Sequence, residues 1–549
     1  MKLAQLLRSG LPWNGWVIIS GIGAVAALLP SLYILAGLFR KPNDNWAHIR
    51  EYMLADYALE SLAAVTGTLA VAVPAGVLLA WLNAAYDYPG RRFFSFVFVL
   101  PLAVPPYIAA YTYASMLSYT GVVQRFARNT LGWSVPPQYL DIMSLKGAVF
   151  IYAMFLFPYI YLIAKSFFER HSAVLIDNAR LLGQGPVSIF VKVALPLSGG
   201  AVAGGAGLVA FEVLNDYGVA KYFGLQTFTT AIFKTWFGMY DVDSAIRLAA
   251  LLMCAVVGIT AAEKLLRRRK RYNASAGRSR PLARRRLRGA QAALAALLGS
   301  AVFMLSFGIP VAQLTVWAFW TFDDVWSAGL VKLIRNTLAV SAAAAVMLTI
   351  AAVAAVNAGR IWRSVPTYAM NRLLSMGYSI PGAVLAIGVI SVFLSLDRAL
   401  APWYAQWGWG TNKLVLSMSL AMLLFAYVVR FLSVGISAVE AGYDKIGSRF
   451  AEASRMLGRG ATATFWKVEL PLVKGAVMTG CLLAFMEIVK ELPLTLLLRP
   501  FNFETLAAKA YQYAGDEQIY MAAVPSLLII ALGVLSVCLY QWLGGKETK

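Results

Sequence analysis

Long apolar runs alternate with short polar breaks along the whole chain. A helix needs about 20 apolar residues to cross the hydrocarbon core of a bilayer. Stretches of that length lie near 16–38, 58–83, 94–117, 145–168, 197–217 and 243–263, and again near 290–318, 335–357, 373–396, 414–434, 473–492 and 518–543. The strand-like alternation of a membrane β-barrel is absent, which leaves helices as the spanning elements. The pattern predicts an all-α polytopic membrane protein with about twelve transmembrane helices in two six-helix halves.

Composition sharpens this. Of 549 residues 60% are hydrophobic and 13% charged, whereas soluble domains carry roughly 25% charged residues. Too little polar surface exists to cover a soluble enzyme of this length, and the same numbers exclude disorder. Cys254, Cys481 and Cys538 lie inside apolar runs and form no disulfide framework. Lys2 and Arg8 precede the first run as in a signal peptide, but Trp16 to Leu38 exceeds a 7–15-residue signal core and is expected to be a retained helix.

The formal charge of +22 is concentrated. Lys264 to Arg288 holds Arg267, Arg268, Arg269, Lys270, Arg271, Arg284, Arg285 and Arg286, which the positive-inside rule keeps cytoplasmic. Because this run follows the sixth span, both termini are expected to be cytoplasmic. Arg91, Arg92, Arg360, Arg363 and Arg372 fall on the same side, while Arg125, Arg128, Lys332 and Arg335 fall on the other. Between two spans, such a run is a topology determinant or a contact for anionic lipid, not a nucleic-acid site. The expected organisation is a first membrane domain over 1–263, a basic linker over 264–289 and a second membrane domain over 290–549.

The halves repeat one another at an offset of 275 residues, 177 against 452. Asp177 to Pro196 matches Glu452 to Pro471 at nine of twenty positions, where chance gives about one or two. The match extends through Gly205/Gly480 and Glu212/Glu487, and earlier through Pro106/Pro381. An even number of spans separates the copies, so the duplication is parallel. Each copy sits in a long loop between the fourth and fifth spans of its half and reads as a short helix: Asp177 as a cap, Gly183 or Gly458 as a left-handed stop, and Pro196 or Pro471 opening the next span. Ala453, Met456 and Leu457 share one face, as do Ala179 and Leu182, with Arg180 and Arg455 turned elsewhere. A helix lying in the lipid interface would favour large apolar residues; Ala, Ser and Gly favour docking into a protein groove.

These residues resemble the cytoplasmic loop motif of the membrane-spanning subunits of ATP-driven ABC importers: Glu452, Ala453, Gly458, Leu470 and Pro471 in one copy, Asp177, Ala179, Gly183, Leu195 and Pro196 in the other, with Asp for Glu and Asn178 for the first Ala. Two fused six-span halves resemble the permeases of ferric iron importers, with thiamine importers second. Phe211 to Phe233 and Lys490 to Ala507 resemble the ferric iron branch in particular. The resemblance implies a bacterial inner-membrane permease whose ATPase-docking residues are Asp177, Ala179, Arg180, Gly183, Glu452, Ala453, Arg455 and Gly458. It also implies two copies of a cytoplasmic ABC ATPase that bind ATP and Mg, and a periplasmic or lipoprotein substrate-binding protein. The chain itself would bind no cofactor and catalyse nothing.

No G-x-x-x-x-G-K-[ST] phosphate loop occurs, so an ATP-powered reading puts the nucleotide on another polypeptide. Charges inside spans are expensive and face protein or water. Glu212, Asp216 and Tyr217 late in span five, and Glu487 and Glu491 late in span eleven, are candidates for a translocation path suited to a cation. A purely structural reading pairs the glutamates with Lys490 or Arg499. Gly199, Gly200, Gly204, Gly205 and Gly207 mark span five, and with it span eleven, as inner helices at the half–half interface. His48 and His171 lie far apart and the cysteines have no ligand spacing, so no metal site is expected and an iron cargo would pass oxygen donors. The chief rival is an ion-coupled secondary transporter with parallel six-helix repeats. Thiamine, a polyamine or a phosphonate are alternative cargoes.

Overall fold

The computed structural model describes residues 15–171, 173–269, 282–362, 365–375, 377, 380–408 and 414–546. Lys2, Arg8, Arg363, the linker core 270–281 with Lys270 and Arg271, and both chain ends lie outside the described residues.

The first half contains α1 (Gly15–Gly37), α2 (Leu54–Ala85), α3 (Arg91–Val97), α4 (Pro106–Leu117), α5 (Leu145–His171), the short α6 (Ala173–Leu181), α7 (Pro186–Asn215), the one-turn α8 (Gly218–Tyr222) and α9 (Val242–Arg269). The second half repeats the order with α10 (Ala290–Val325), α11 (Ala328–Ile361), α12 (Val365–Leu374), α13 (Gly382–Gln406), α14 (Leu420–Ile446), the short α15 (Arg449–Met456), α16 (Ala461–Val489), α17 (Pro493–Leu498) and α18 (Ala523–Lys546). Ten helices among the described residues are long and apolar enough to cross a bilayer. The remaining two expected spans have other forms. The third is bent by 92° between Ala103 and Pro106, and the last is the shorter apolar helix that begins at Ala523. The bend has a local cause: Pro101, Pro105 and Pro106 lack the N–H groups that would continue a helix, and Pro106 restarts it as first residue.

Each half is built on one triad, α2 with α5 and α7, repeated as α11 with α14 and α16. The outer helices are exchanged. α1 packs on α13 and α11 of the second half, and α10 packs on α3 and α4 of the first. Glycine makes these crossings close: a Cβ on Gly388 would stand 2.6 Å from the Pro30 carbonyl oxygen, and one on Gly533 of α18 2.9 Å from Ala103 Cβ. Of the α7 glycines, Gly200 has open space around it. Gly205 lies against α5 of its own half, where a Cβ would approach Ile160 Cα to 2.8 Å, so this face serves packing within the half.

Two local expectations are also corrected. Pro196 and Pro471 stand in the first turn of the regular helices Leu195–Asn215 and Leu470–Val489, as expected, but the continuous spans α7 and α16 begin ten residues earlier, at Pro186 and Ala461. The wide turns Phe190–Ala194 and Phe465–Glu469 precede each proline and shift hydrogen bonding to five residues, as when the Leu195 N–H donates to the Phe190 carbonyl. Lys264 to Arg269 are not linker but the last turns of α9.

Candidate functional site

Two features stand out: a pair of protruding knobs, and a cavity between the halves. Each knob is a short helix followed by a left-handed glycine, Gly183 at φ 77° and Gly458 at φ 79°. The glycine lets the chain turn back, with the Gln184 N–H donating to Ala179 O at 3.1 Å and the Arg459 N–H to Ser454 O at 3.3 Å. The inward faces are Ile176 with Ala179, and Ala451 with Ser454. The outward ends carry large apolar residues at repeat-equivalent places: Leu181 and Leu182 are 85% and 81% exposed, Met456 and Leu457 89% and 81%. Ala179 and Leu182 therefore do not share a face, because α6 ends at Leu181 and Leu182 already belongs to the turn. Asp177 is no cap either; it lies inside α6 and pairs with Arg180 at 3.1 Å. Glu452, Ala453 and Arg455 are exposed.

The first knob has a brace that the second lacks among the described residues. The linker segment after 281 runs beside the end of α2, where Arg285 and Arg286 pair in parallel with Tyr86 and Asp87. Arg180 donates to the Ala283 carbonyl at 2.9 Å and Arg284 meets Glu169 at 3.2 Å. Arg180 thus holds the linker, whereas Arg455 has no such contact among the described residues.

The cavity, of about 70 Å³, lies where α4, α5 and the end of α7 face α14 and the end of α16. Glu212, Asp216, Glu487 and Glu491 all line it, with Lys490 and Arg430 as the cations. The repeat places Asp216 opposite Glu491, and each carboxylate receives the amide of the short helix that follows. Asp216 Oδ2 accepts from the Val219 and Ala220 N–H groups at 2.8 and 3.3 Å and from the Tyr152 hydroxyl at 2.9 Å. Glu491 Oε1 accepts from the Leu494 N–H at 3.3 Å, while its Oε2 faces Arg430 Nε at 3.4 Å. Lys490 Nζ pairs with Glu487 at 2.8 Å, so the structural role foreseen for that glutamate is present beside its place on the cavity wall. Tyr217 is not on that wall; its ring stacks on Phe233 at 3.8 Å. Arg430, Tyr107 and Tyr152 were not among the candidates. A lone arginine inside the apolar run 414–434 carried the same signal as the glutamates, but nothing in the sequence marks the two tyrosines. Among the described residues no group of three or more His, Cys, Asp or Glu is arranged to hold a metal ion.

The sequence profile described as "Binding-protein-dependent transport system inner membrane component" matches twice, over residues 72–271 and 347–548. The chain belongs to this family. It is thus a multi-pass ABC-type permease with two fused copies of the family domain, and permeases of this kind work with ATPase and substrate-binding partners. The Fe(3+)-transport system permease protein FbpB 2 of Haemophilus influenzae is 26% identical over 514 residues, covering 92% of this chain and 93% of the relative. A probable ABC transporter permease of Sinorhizobium fredii is 22% identical over 95% of this chain and 93% of its own length. The molybdenum transport system permease protein ModB of Haemophilus influenzae is 26% identical over 30% of this chain and 69% of its own. These relatives are transport permeases, and the permease is accordingly a non-enzymatic membrane subunit.

Proposed function

We propose that the permease imports ferric iron across the bacterial inner membrane, driven by two copies of a cytoplasmic ABC ATPase that dock on Asp177–Gly183 and Glu452–Gly458. A periplasmic or lipoprotein binding protein delivers the cargo, ATP and Mg reside on the ATPase, and both termini are cytoplasmic. The observation that carries the ATPase reading is the pair of knobs, each ending in two large apolar side chains exposed by more than 80%. The small residues Ala179, Ala451 and Ser454 face inward instead of docking, and the free tips are large and apolar; with the exposed Glu452 and Arg455 beside them, apolar tips at matched places suit a two-fold protein partner better than solvent. The cargo reading rests on likeness to the Fe(3+) permease over 92% of the chain, and on four carboxylates against two cations around the cavity. An anionic cargo would meet net negative charge there. The domain limits of the same reading are 1–263 and 290–549, and the basic stretch 264–289 between them begins as the last turns of α9.

Reconstitution with the cognate ATPase and binding protein tests it. ATP-dependent uptake of ⁵⁵Fe, with none for thiamine, a polyamine or a phosphonate, is the expected result. Uptake by the permease alone, driven by an ion gradient, would instead establish a secondary transporter.

A further inference from the structure

The two halves treat the shared cavity unequally, and the inequality has a direction. Repeat-equivalent positions pair Tyr107 with Gly382, Phe155 with Arg430, Asn215 with Lys490 and Asp216 with Glu491. In the second half a guanidinium fills the space beside the carboxylate. Arg430 faces Glu491, donates to the Ile380 carbonyl at 2.9 Å, and is admitted by Gly382, where a Cβ would lie 3.3 Å from its Nη1 and 2.9 Å from Glu491 Oε1. In the first half no cation stands beside Asp216 among the described residues, and Lys490 of the second half faces Glu212. Phe155 takes the arginine's place in the repeat, and Tyr107 takes the glycine's. The three hydrogen bonds to Asp216 all fall on Oδ2, and Oδ1 has no partner among the described residues. The Tyr107 hydroxyl, on a residue only 3% exposed, is buried without a hydrogen-bond partner, and it lines the same cavity. A buried phenol without a partner is a group that expects a ligand or an ion.

We propose that Asp216 Oδ1 and the Tyr107 hydroxyl, beside Glu212, form a cation subsite in the first half, and that Arg430 is a built-in cation occupying the equivalent place in the second. The ligand is a hard metal cation, because every donor is oxygen and hard cations favour carboxylate, phenol and water ligands. With few protein donors the site is one of passage, not of residence. The permanent guanidinium limits the path to a single bound cation and gives it one side to bind on. This assignment rests on the importer reading.

The test uses the purified full-length permease in lipid nanodiscs, titrated with Tb³⁺ and read by aromatic-sensitised emission. Wild type is expected to show a saturable component. Asp216→Asn should weaken it at least tenfold, Phe155→Arg should remove it by installing the second half's guanidinium in the first, and Tyr107→Phe, which deletes one oxygen and leaves the packing intact, should weaken it about threefold. Absence of a saturable component in wild type, or wild-type affinity in both Tyr107→Phe and Asp216→Asn, overturns the assignment. Reconstituted ⁵⁵Fe uptake by the wild type separates the two failures: normal uptake with unaltered Tb³⁺ binding in the variants sinks only the subsite, whereas absence of ATP-driven uptake sinks the importer reading itself.

Discussion

In the first half the knob is braced from outside, through Arg180 to the linker carbonyl of Ala283 and through Arg284 to Glu169. In the second half the support is internal. Arg360 meets the buried Glu469 at 2.9 Å and lies over the Tyr443 ring at 3.8 Å, directly behind the knob's return segment. The repeat-equivalent positions in the first half are Ala85 and Ala194. Both halves therefore keep the same protruding tip and left-handed glycine, yet each holds them with different chemistry. The cavity follows the same rule: matched carboxylates, with the guanidinium on one side only. Duplication supplied the geometry, and divergence placed the charges.

Substitutions that give one half the chemistry of the other sharpen this contrast. The largest effect is expected from Glu469→Ala. Removing one partner of a buried ion pair costs about 3–5 kcal/mol because the other charge stays desolvated. Thermal unfolding in detergent should show the loss, and Arg360→Ala with Glu469→Ala, the residues of the first half, should recover more than half of it. A double variant as unstable as the single one would show that the pair is more than a local substitute for the linker brace.

Next comes the helix exchange. Gly388→Val presses a side chain on the Pro30 carbonyl, and Gly533→Val presses one on Ala103. Overpacking of this kind costs about 1–3 kcal/mol. Both sites lie where the halves meet, α13 on α1 and α18 on the Leu100–Ala103 turn, so each is expected to lower the melting temperature; a loss at only one would mean that the halves are held chiefly at that contact.

The knobs themselves should differ. Met456→Asp with Leu457→Asp is expected to weaken ATPase retention and uptake about tenfold, or about 1.4 kcal/mol. Leu181→Asp with Leu182→Asp should cost less, because linker contacts still hold that half's docking surface in place. Equal losses would remove the linker from the account. The smallest effect concerns Arg180→Ala, which deletes a partly exposed hydrogen bond worth about 0.5–1.5 kcal/mol. Limited trypsin cleavage near Arg284–Arg288 should accelerate severalfold, with no change for Arg455→Ala.

Much of this architecture was legible from residue order. The apolar runs located every membrane helix, because a span must satisfy its backbone internally over a set length. The twenty-residue repeat located both knobs, and Gly183 and Gly458 announced their turns. Details that depend on partners distant in sequence were not legible. Asp177 looked like a cap but pairs with Arg180 inside α6, because α6 begins at Ala173. Gly205 of α7 looked like part of a half–half interface but packs on Ile160 of its own half. Tyr217 looked like part of a path but stacks on Phe233.

By itself, then, the order of residues determined the class of protein, the number of apolar segments, the duplication and the two knobs, since these follow from hydrophobic length, proline and glycine placement and local periodicity. Tertiary structure alone decided that Arg430 lies against Glu491, which arginine grips the linker, and that α1 and α10 cross to the opposite half. Those outcomes depend on which surfaces meet after the helices pack, and side chains hundreds of residues apart become neighbours only then.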